Sequence, residues 1–175
     1  GPQDLALSLR DQVKHFLSHQ LGLTLNLEKT KITNPKVSKA IFLGYEIFID
    51  SREKMRYVHS KGHTPFLRKT TGRFIKLGAP IESIVKGLQT KGFCDGNGHP
   101  TPKRIWITQE DHRIVDLYRA TINGIFNYYK GCHYQHRLGR IWYILQFSCA
   151  MTLASKHRSS ISKVFKKHGS KITAR

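Results

Sequence analysis

The sequence predicts an α+β chain, mainly α, in which a short helix and an antiparallel β-hairpin are followed by a three-helix bundle. Three observations lead there. Apolar residues recur at helical spacing near the start, alternate with polar ones just after it, and return to helical spacing throughout the last third. With 175 residues, 39% of them hydrophobic, the chain can build one ordinary domain or two small ones around a modest core.

The first helix is read from Asp4 to Gln20, where Leu5, Leu9, Val13, Phe16 and Leu17 share one face and Gly22 supplies the stop. Leu23, Leu25 and Leu27 then alternate with Thr24 and Asn26, and the run reaches Ile32 before the turn-forming Asn34-Pro35, so this segment reads as a strand. Ala40 to Ile49, rich in β-branched and aromatic residues, reads as its antiparallel partner, with the helix packed on the pair. Two strands alone are marginal in water, so the remaining strands are expected upstream in a longer parent chain. The opening Gly1-Pro2 reads as the scar of a cleaved tag.

Residues 59–107 read as a basic connector around short elements such as Ile81 to Gln89, where Ile81, Ile84, Val85 and Leu88 form a helical stripe. Cys94 and His99 flank the turn Asp95-Gly96-Asn97-Gly98, and two potential ligands without a second pair do not make a zinc site. The bundle occupies residues 108–169. Thr108 and Asp111 resemble an N-cap arrangement, and Ile114, Leu117, Tyr118, Ile122, Ile125, Phe126 and Tyr129 form a stripe up to Gly131. A second helix from about Arg137 buries Leu138, Ile141, Trp142, Leu145, Cys149 and Leu153, and a third holds Ile161, Val164 and Phe165 before Gly169. Residues 170–175 are a basic tail.

Charge names the class of partner. Thirty Lys and Arg against eleven Asp and Glu leave +19, a self-repulsion that calls for a polyanion. The excess is graded: residues 1–50 hold six basic and five acidic side chains, 51–116 thirteen and six, 117–175 eleven and none. Arg119, Lys130, Arg137, Arg140, Lys156, Arg158, Lys163, Lys166 and Lys167 are therefore the expected phosphate contacts, with Lys171 and Arg175 crowding the same end. Tyr128 is a candidate for stacking on a base, whereas periodicity assigns Tyr129 to the core. No apolar run approaches the roughly 20 residues of a transmembrane helix, so a membrane is not an expected partner. Cys94, Cys132 and Cys149 are odd in number and far apart, which argues against a disulfide framework. Cys149 reads as a small core residue.

The run Leu25-Asn26-Leu27-Glu28-Lys29-Thr30 followed by Phe42-Leu43-Gly44-Tyr45 resembles the closing palm motifs of group II intron reverse transcriptases. Tyr118-Arg119, Gly124, Tyr128-Tyr129, Tyr143-Ile144-Leu145, Ser148-Cys149-Ala150, Thr152-Leu153-Ala154, Lys156-His157 and Val164-Phe165-Lys166-Lys167-His168-Gly169 resemble their maturase domain, also called domain X or thumb. The resemblance implies that residues 3–58 are the end of the palm and that 108–169 are the thumb. It implies binding to group II intron RNA, help with its folding and splicing, and a primer-grip-like role for Phe42, Leu43, Gly44 and Tyr45.

The catalytic aspartates of that family precede the Leu-Asn-Leu-Glu-Lys-Thr region, and nothing before residue 25 supplies them. This fragment is therefore expected to have no catalytic residue and no metal or cofactor of its own; Mg is expected only for the intact reverse transcriptase and the intron RNA. Cys132, His133 and His136 lack a following acidic residue to complete a nuclease centre. Two alternatives stay open: the thumb of an active reverse transcriptase gripping an RNA/DNA template-primer, and a non-specific basic RNA chaperone. The resemblance points to the mitochondrial matrix, with the bacterial cytoplasm as the other setting, and leaves the oligomeric state open.

Overall fold

Gln3–Leu21 forms α1, and a computed structural model describes it together with the rest of residues 3–50, 54–59, 62, 64–70 and 74–169. The basic tail and the Gly1-Pro2 start lie outside the described residues. The chain divides into two compact units, 1–40 and 41–175.

In the first unit, Gly22 (φ +62°) ends α1 as the spacing predicts, and the Leu23 N–H reaches back to the Leu17 carbonyl at 2.9 Å, folding the chain over the last turn of the helix. Leu5, Leu9, Val13 and Phe16 share a face, but each keeps at least half of its surface exposed, so the stripe is not a buried packing face. The strand expected over residues 23–32 does not form. Asn26 is the reason. Its side chain accepts from the Lys29 N–H at 3.0 Å while its carbonyl accepts from the Thr30 N–H and hydroxyl at 3.0 and 2.7 Å, folding the backbone into a turn that defeats the Leu alternation. Asn34-Pro35 does turn the chain, with the Val37 and Ser38 N–H groups both donating to the Asn34 carbonyl.

The stretch read as one strand from Ala40 to Ile49 is two: β1 (Ala40–Phe42) and β2 (Tyr45–Asp50). Leu43 (φ +47°) and Gly44 (φ +73°) separate them, and positive φ at both central residues is the mark of a type I′ hairpin turn. Three strands that the sequence reading missed follow: β3 (Lys54–Val58), just before the connector, and β4 (Phe66–Thr70) and β5 (Phe74–Gly78) within it. One sheet runs β1-β2-β5, with β2 and β5 antiparallel from Glu46↔Gly78 to Asp50↔Phe74; β3 and β4 form a separate antiparallel ribbon.

Helix α2 (Ile81–Thr90) follows, burying Ile81, Val85 and Leu88. The bundle is α3 (Asp111–Tyr128), α4 (Gly139–Lys156) and α5 (Ile161–His168). The residue before α3 is Glu110, which makes no side-chain cap, so Thr108 is not the N-cap. Ser160 does cap α5 by accepting from the Lys163 N–H, and Gly169 (φ +82°) follows its last turn.

α4 is the centre, packed by α2, α3 and α5. Ile141, Ile144, Leu145, Ala150 and Leu153 are sealed from solvent, and burial of each large aliphatic chain contributes roughly 1.5–3 kcal/mol. Trp142, expected on the buried side, is 37% exposed. The core also holds a polar knot. The Tyr118 hydroxyl lies 2.8 Å from Ser148 Oγ and 3.0 Å from Thr152 Oγ1, Ser148 donates to the Thr101 carbonyl at 2.6 Å, and the Lys103 N–H donates to Thr152 at 2.8 Å. Every hydroxyl is thereby satisfied, and the 101–103 segment is tied to α3 and α4. Burial pushes the Tyr118 phenol up to about 12 despite these bonds.

Candidate nucleic-acid interface

The candidate site consists of two arrangements, the first of which is a clamp on the turn between β1 and β2. Phe42 and Leu43 are exposed there, and Gly44 has the positive φ that a glycine supplies without strain. The end of α3 grips the turn from behind. Tyr128 Oη donates to the Leu43 carbonyl at 2.5 Å, Tyr129 Oη donates to the Gly44 carbonyl at 3.2 Å, and Tyr45 Oη donates to the Tyr128 carbonyl. The Tyr45 ring lies 5.5 Å from that of Tyr128 and 5.3 Å from that of Tyr129. Desolvation raises the Tyr45 and Tyr129 phenols, so both stay protonated donors near neutral pH. Tyr129 is buried, as its periodicity requires, and Tyr128 is half exposed with its hydroxyl committed to the turn.

A second tie holds β5 to the connection between α3 and α4. The His133 N–H donates to the Leu77 carbonyl at 3.0 Å, and the Leu77 N–H donates to His133 Nδ1 at 3.2 Å. Lys76 Nζ lies 2.5 Å from Asp50 Oδ2 and 2.8 Å from Tyr134 Oη, and Tyr134 donates to the same carboxylate. The hydrogen bond that Lys76 donates to Asp50, then the one it donates to Tyr134, raises its ammonium above the usual range. These contacts fix the β1-β2-β5 sheet against the bundle. Sequence reading missed them because their partners are 26 to 84 residues apart.

The second arrangement is the set of cations, which the structure sorts into free and committed groups. Lys163, Lys166 and Lys167 fall at helical spacing on one side of α5, away from Ile161 and Phe165, and make no ion pair among the described residues. Lys130, Arg137 and Arg158 are also exposed. Arg140 is exposed while its guanidinium leans on the turn after Cys94, 3.5 Å from the Asn97 carbonyl. Arg119 lies 3.8 Å from Asp116, one turn away on α3. Lys156 is committed: its Nζ sits 2.7 Å from Asp111 Oδ1 and donates to the Gln109 carbonyl, while His157 Nε2 lies 2.7 Å from the other carboxylate oxygen. Burial alone would raise the Asp111 carboxyl, but the bonds from Lys156 and His157 outweigh it and hold it below the ordinary value. The carboxylate expected at a helix cap therefore latches the two ends of the α3–α4 pair.

The other candidate ligand sets are occupied by protein contacts. Asp95 Oδ1 accepts the Asn97 and His99 N–H groups at 2.9 and 2.8 Å, and Asp95 Oδ2 lies 3.1 Å from His99 Nδ1, while the Cys94 thiol is buried against the Val85 carbonyl. Cys132 is buried, and His133 is bonded to β5.

The model of the family described as type II intron maturase matches residues 72–175, the span from just before β5 through the bundle. The chain is 40% identical over 178 residues to a protein described as COX1/OXI3 intron 1 protein of Saccharomyces cerevisiae, covering 97% of this chain and 21% of that protein. It is 33% identical over 173 residues to the corresponding intron 2 protein, covering 97% of this chain and 20% of the relative. With Maturase K of Physcomitrium patens it shares 36% identity over 151 residues, 83% of this chain and 29% of that one. The chain thus spans between a fifth and a third of the length of these relatives. The family match takes in β5, the latch and every predicted phosphate contact, and on that ground the chain belongs to the type II intron maturase family.

Proposed function

We propose that this chain is the RNA-binding part of a group II intron maturase, which holds its intron RNA in a splicing-competent fold. The observation that carries this reading is the free cationic side of α5, Lys163, Lys166 and Lys167, with Arg158, Arg137 and Lys130 also exposed on the connections of the bundle. Phosphates carry no sequence information, so intron choice on this reading comes from matching the spacing of several cations to a folded RNA shape. Group II splicing is RNA chemistry, and it asks the protein for binding and positioning. Any Mg requirement then belongs to the RNA and to an intact parent enzyme. The setting that suits an intron-encoded protein of this kind is an organelle, the mitochondrial matrix first.

The test is filter binding across a salt series with a group II intron transcript and an unrelated structured RNA, comparing wild type with Lys163, Lys166 and Lys167 jointly changed to Gln. The triple variant stays folded, binds the intron more weakly and shows a flatter salt slope. Wild-type affinity and slope in the folded variant refute the surface. Equal affinity for both RNAs favours the non-specific chaperone.

A second reading rests on the clamped turn. A rigid Leu43-Gly44 turn backed by Tyr128 and Tyr129 suits a grip on the end of a template-primer duplex, the task of a thumb in an active reverse transcriptase. In the intact parent, Gly44→Val then impairs primer use more than intron binding; equal loss of both with unchanged folding refutes that division.

A further inference from the structure

The β3–β4 ribbon pairs with no other described strand, and Met55, Tyr57, Phe66 and Leu67 on it each keep about half or more of their surface exposed. Its register sets Arg56 directly across from Arg68. Successive strand residues alternate in direction, so both guanidinium groups leave one face, beside the Val58↔Phe66 pair, while Met55, Tyr57, Leu67 and Lys69 occupy the other. Both arginines are exposed, and neither has a hydrogen bond or ion pair with another described residue.

This arrangement opposes its own stability. A two-stranded ribbon is marginal in water, and like charges directly opposite in an antiparallel pair destabilise it further. An anion seated between the two arginines reverses the sign of that interaction. Directly opposed residues have Cβ atoms roughly 4.5–5.5 Å apart, close enough for one phosphate to accept from both guanidinium groups. The surrounding sequence favours a polyanion: residues 51–73 hold seven Lys and Arg against one acidic residue.

We propose that Arg56 and Arg68 form a phosphodiester-binding site, across which a strand of RNA backbone runs and by which the ribbon is stabilised. The site rests on the RNA-binding reading above and adds to it a contact remote in sequence from α5. RNA is the occupant because the surrounding charge is strongly positive and Met55, Tyr57 and Leu67 lie on the face opposite the arginine pair, which has only the Val58↔Phe66 pair beside it. A membrane surface presents headgroups and hydrocarbon from one side, whereas a ribbon seated in an RNA groove meets phosphates on one face and sugars or bases, against Tyr57, on the other.

The experiment uses the full chain with three probes: a group II intron transcript, inorganic phosphate and phosphatidylserine-containing vesicles. Arg56→Gln/Arg68→Gln lowers affinity for the transcript about tenfold near physiological salt and flattens the salt slope by about one. Hydrogen exchange separates this from a folding defect. Arg56→Glu, which places opposite charges across the ribbon, raises amide protection in β3 and β4 of the free protein while weakening RNA binding; the transcript raises the same protection in wild type. Inorganic phosphate at high concentration competes for wild type and not for the double variant.

Wild-type affinity and salt slope in the double variant overturn the site. So does ribbon protection that RNA leaves unchanged, or a loss confined to vesicle binding. The α5 triple variant runs alongside: if it loses RNA binding and the arginine variant does not, the ribbon site alone fails. If wild type binds no RNA, the RNA-binding reading falls and the site with it.

Discussion

The Tyr128 hydroxyl donates to the Leu43 main-chain carbonyl at 2.5 Å, joining the last residue of α3 to a hairpin turn 85 residues earlier. Tyr129 does the same for Gly44, and Tyr45 returns a bond to the Tyr128 carbonyl. Turn and helix end hold one another, so a change in either should be felt in both.

Gly44→Ala is expected to lower stability by about 1–2 kcal/mol, the cost of a left-handed conformation with a Cβ. Crowding adds little, since that Cβ would sit 3.4 Å from Tyr128 Oη, ordinary contact. Gly44→Asn should lose less than Gly44→Ala, because Asn tolerates positive φ. Denaturant titration of both variants checks the order.

Tyr128→Phe and Tyr129→Phe each remove one bond to the turn and should cost roughly 0.5–1.5 kcal/mol. Combined with Gly44→Ala, either should be non-additive, because a strained turn no longer presents its carbonyls correctly. A double-mutant cycle in which the costs simply add would show that the clamp and the turn are independent.

Leu145→Ala should cost about 2–5 kcal/mol, since the side chain is sealed from solvent at the centre of α4. Tyr118→Phe should cost less, about 0.5–1.5 kcal/mol, because Ser148 and Thr152 keep partners in Thr101 and Lys103. A chelator should leave the thermal midpoint of all these proteins unchanged; a fall on chelation would point to a metal held at Cys94 and His99 or at Cys132, His133 and His136.

The Asp111 latch predicts a pH dependence with a definite sign. Its folded pKa is lowered from 3.8, so its contribution is fully present above that value and is lost as pH falls through the folded pKa. Acid unfolding of wild type should therefore steepen below about pH 4, and Asp111→Asn should be less stable at neutral pH with a flatter acid limb. Parallel acid limbs in the two proteins would remove Asp111 from the account.

The helices were legible where one side faces the core. Ile114, Tyr118, Val164 and their periodic neighbours marked α3 and α5, and Gly169 marked the end of α5. In α4 the stripe read from the sequence is buried except for Trp142, and because the second half of the helix is buried almost all round, periodicity marked its edge poorly. β3 and β4 were missed because a ribbon exposed on both faces needs no apolar alternation. The Leu23–Leu27 alternation misled because one Asn side chain outcompeted a ladder that had no partner strand. At the interface, sequence named the cations but not their commitments: Lys156 is held by Asp111, 45 residues away, a pairing no local spacing encodes.

The three buried cysteines make the fold report on its own opening. Cys94 follows α2, Cys132 lies in the connection before α4, and Cys149 sits in the middle of α4. Burial raises every one of these thiols, Cys149 to about 12, so near neutral pH almost none is a thiolate and an alkylating reagent must wait for the surrounding layer to part. Their labelling rates therefore time three separate openings without any engineered probe. Cys149 should react last, on the clock of global unfolding, while Cys94 and Cys132 record how often the two margins of the bundle breathe.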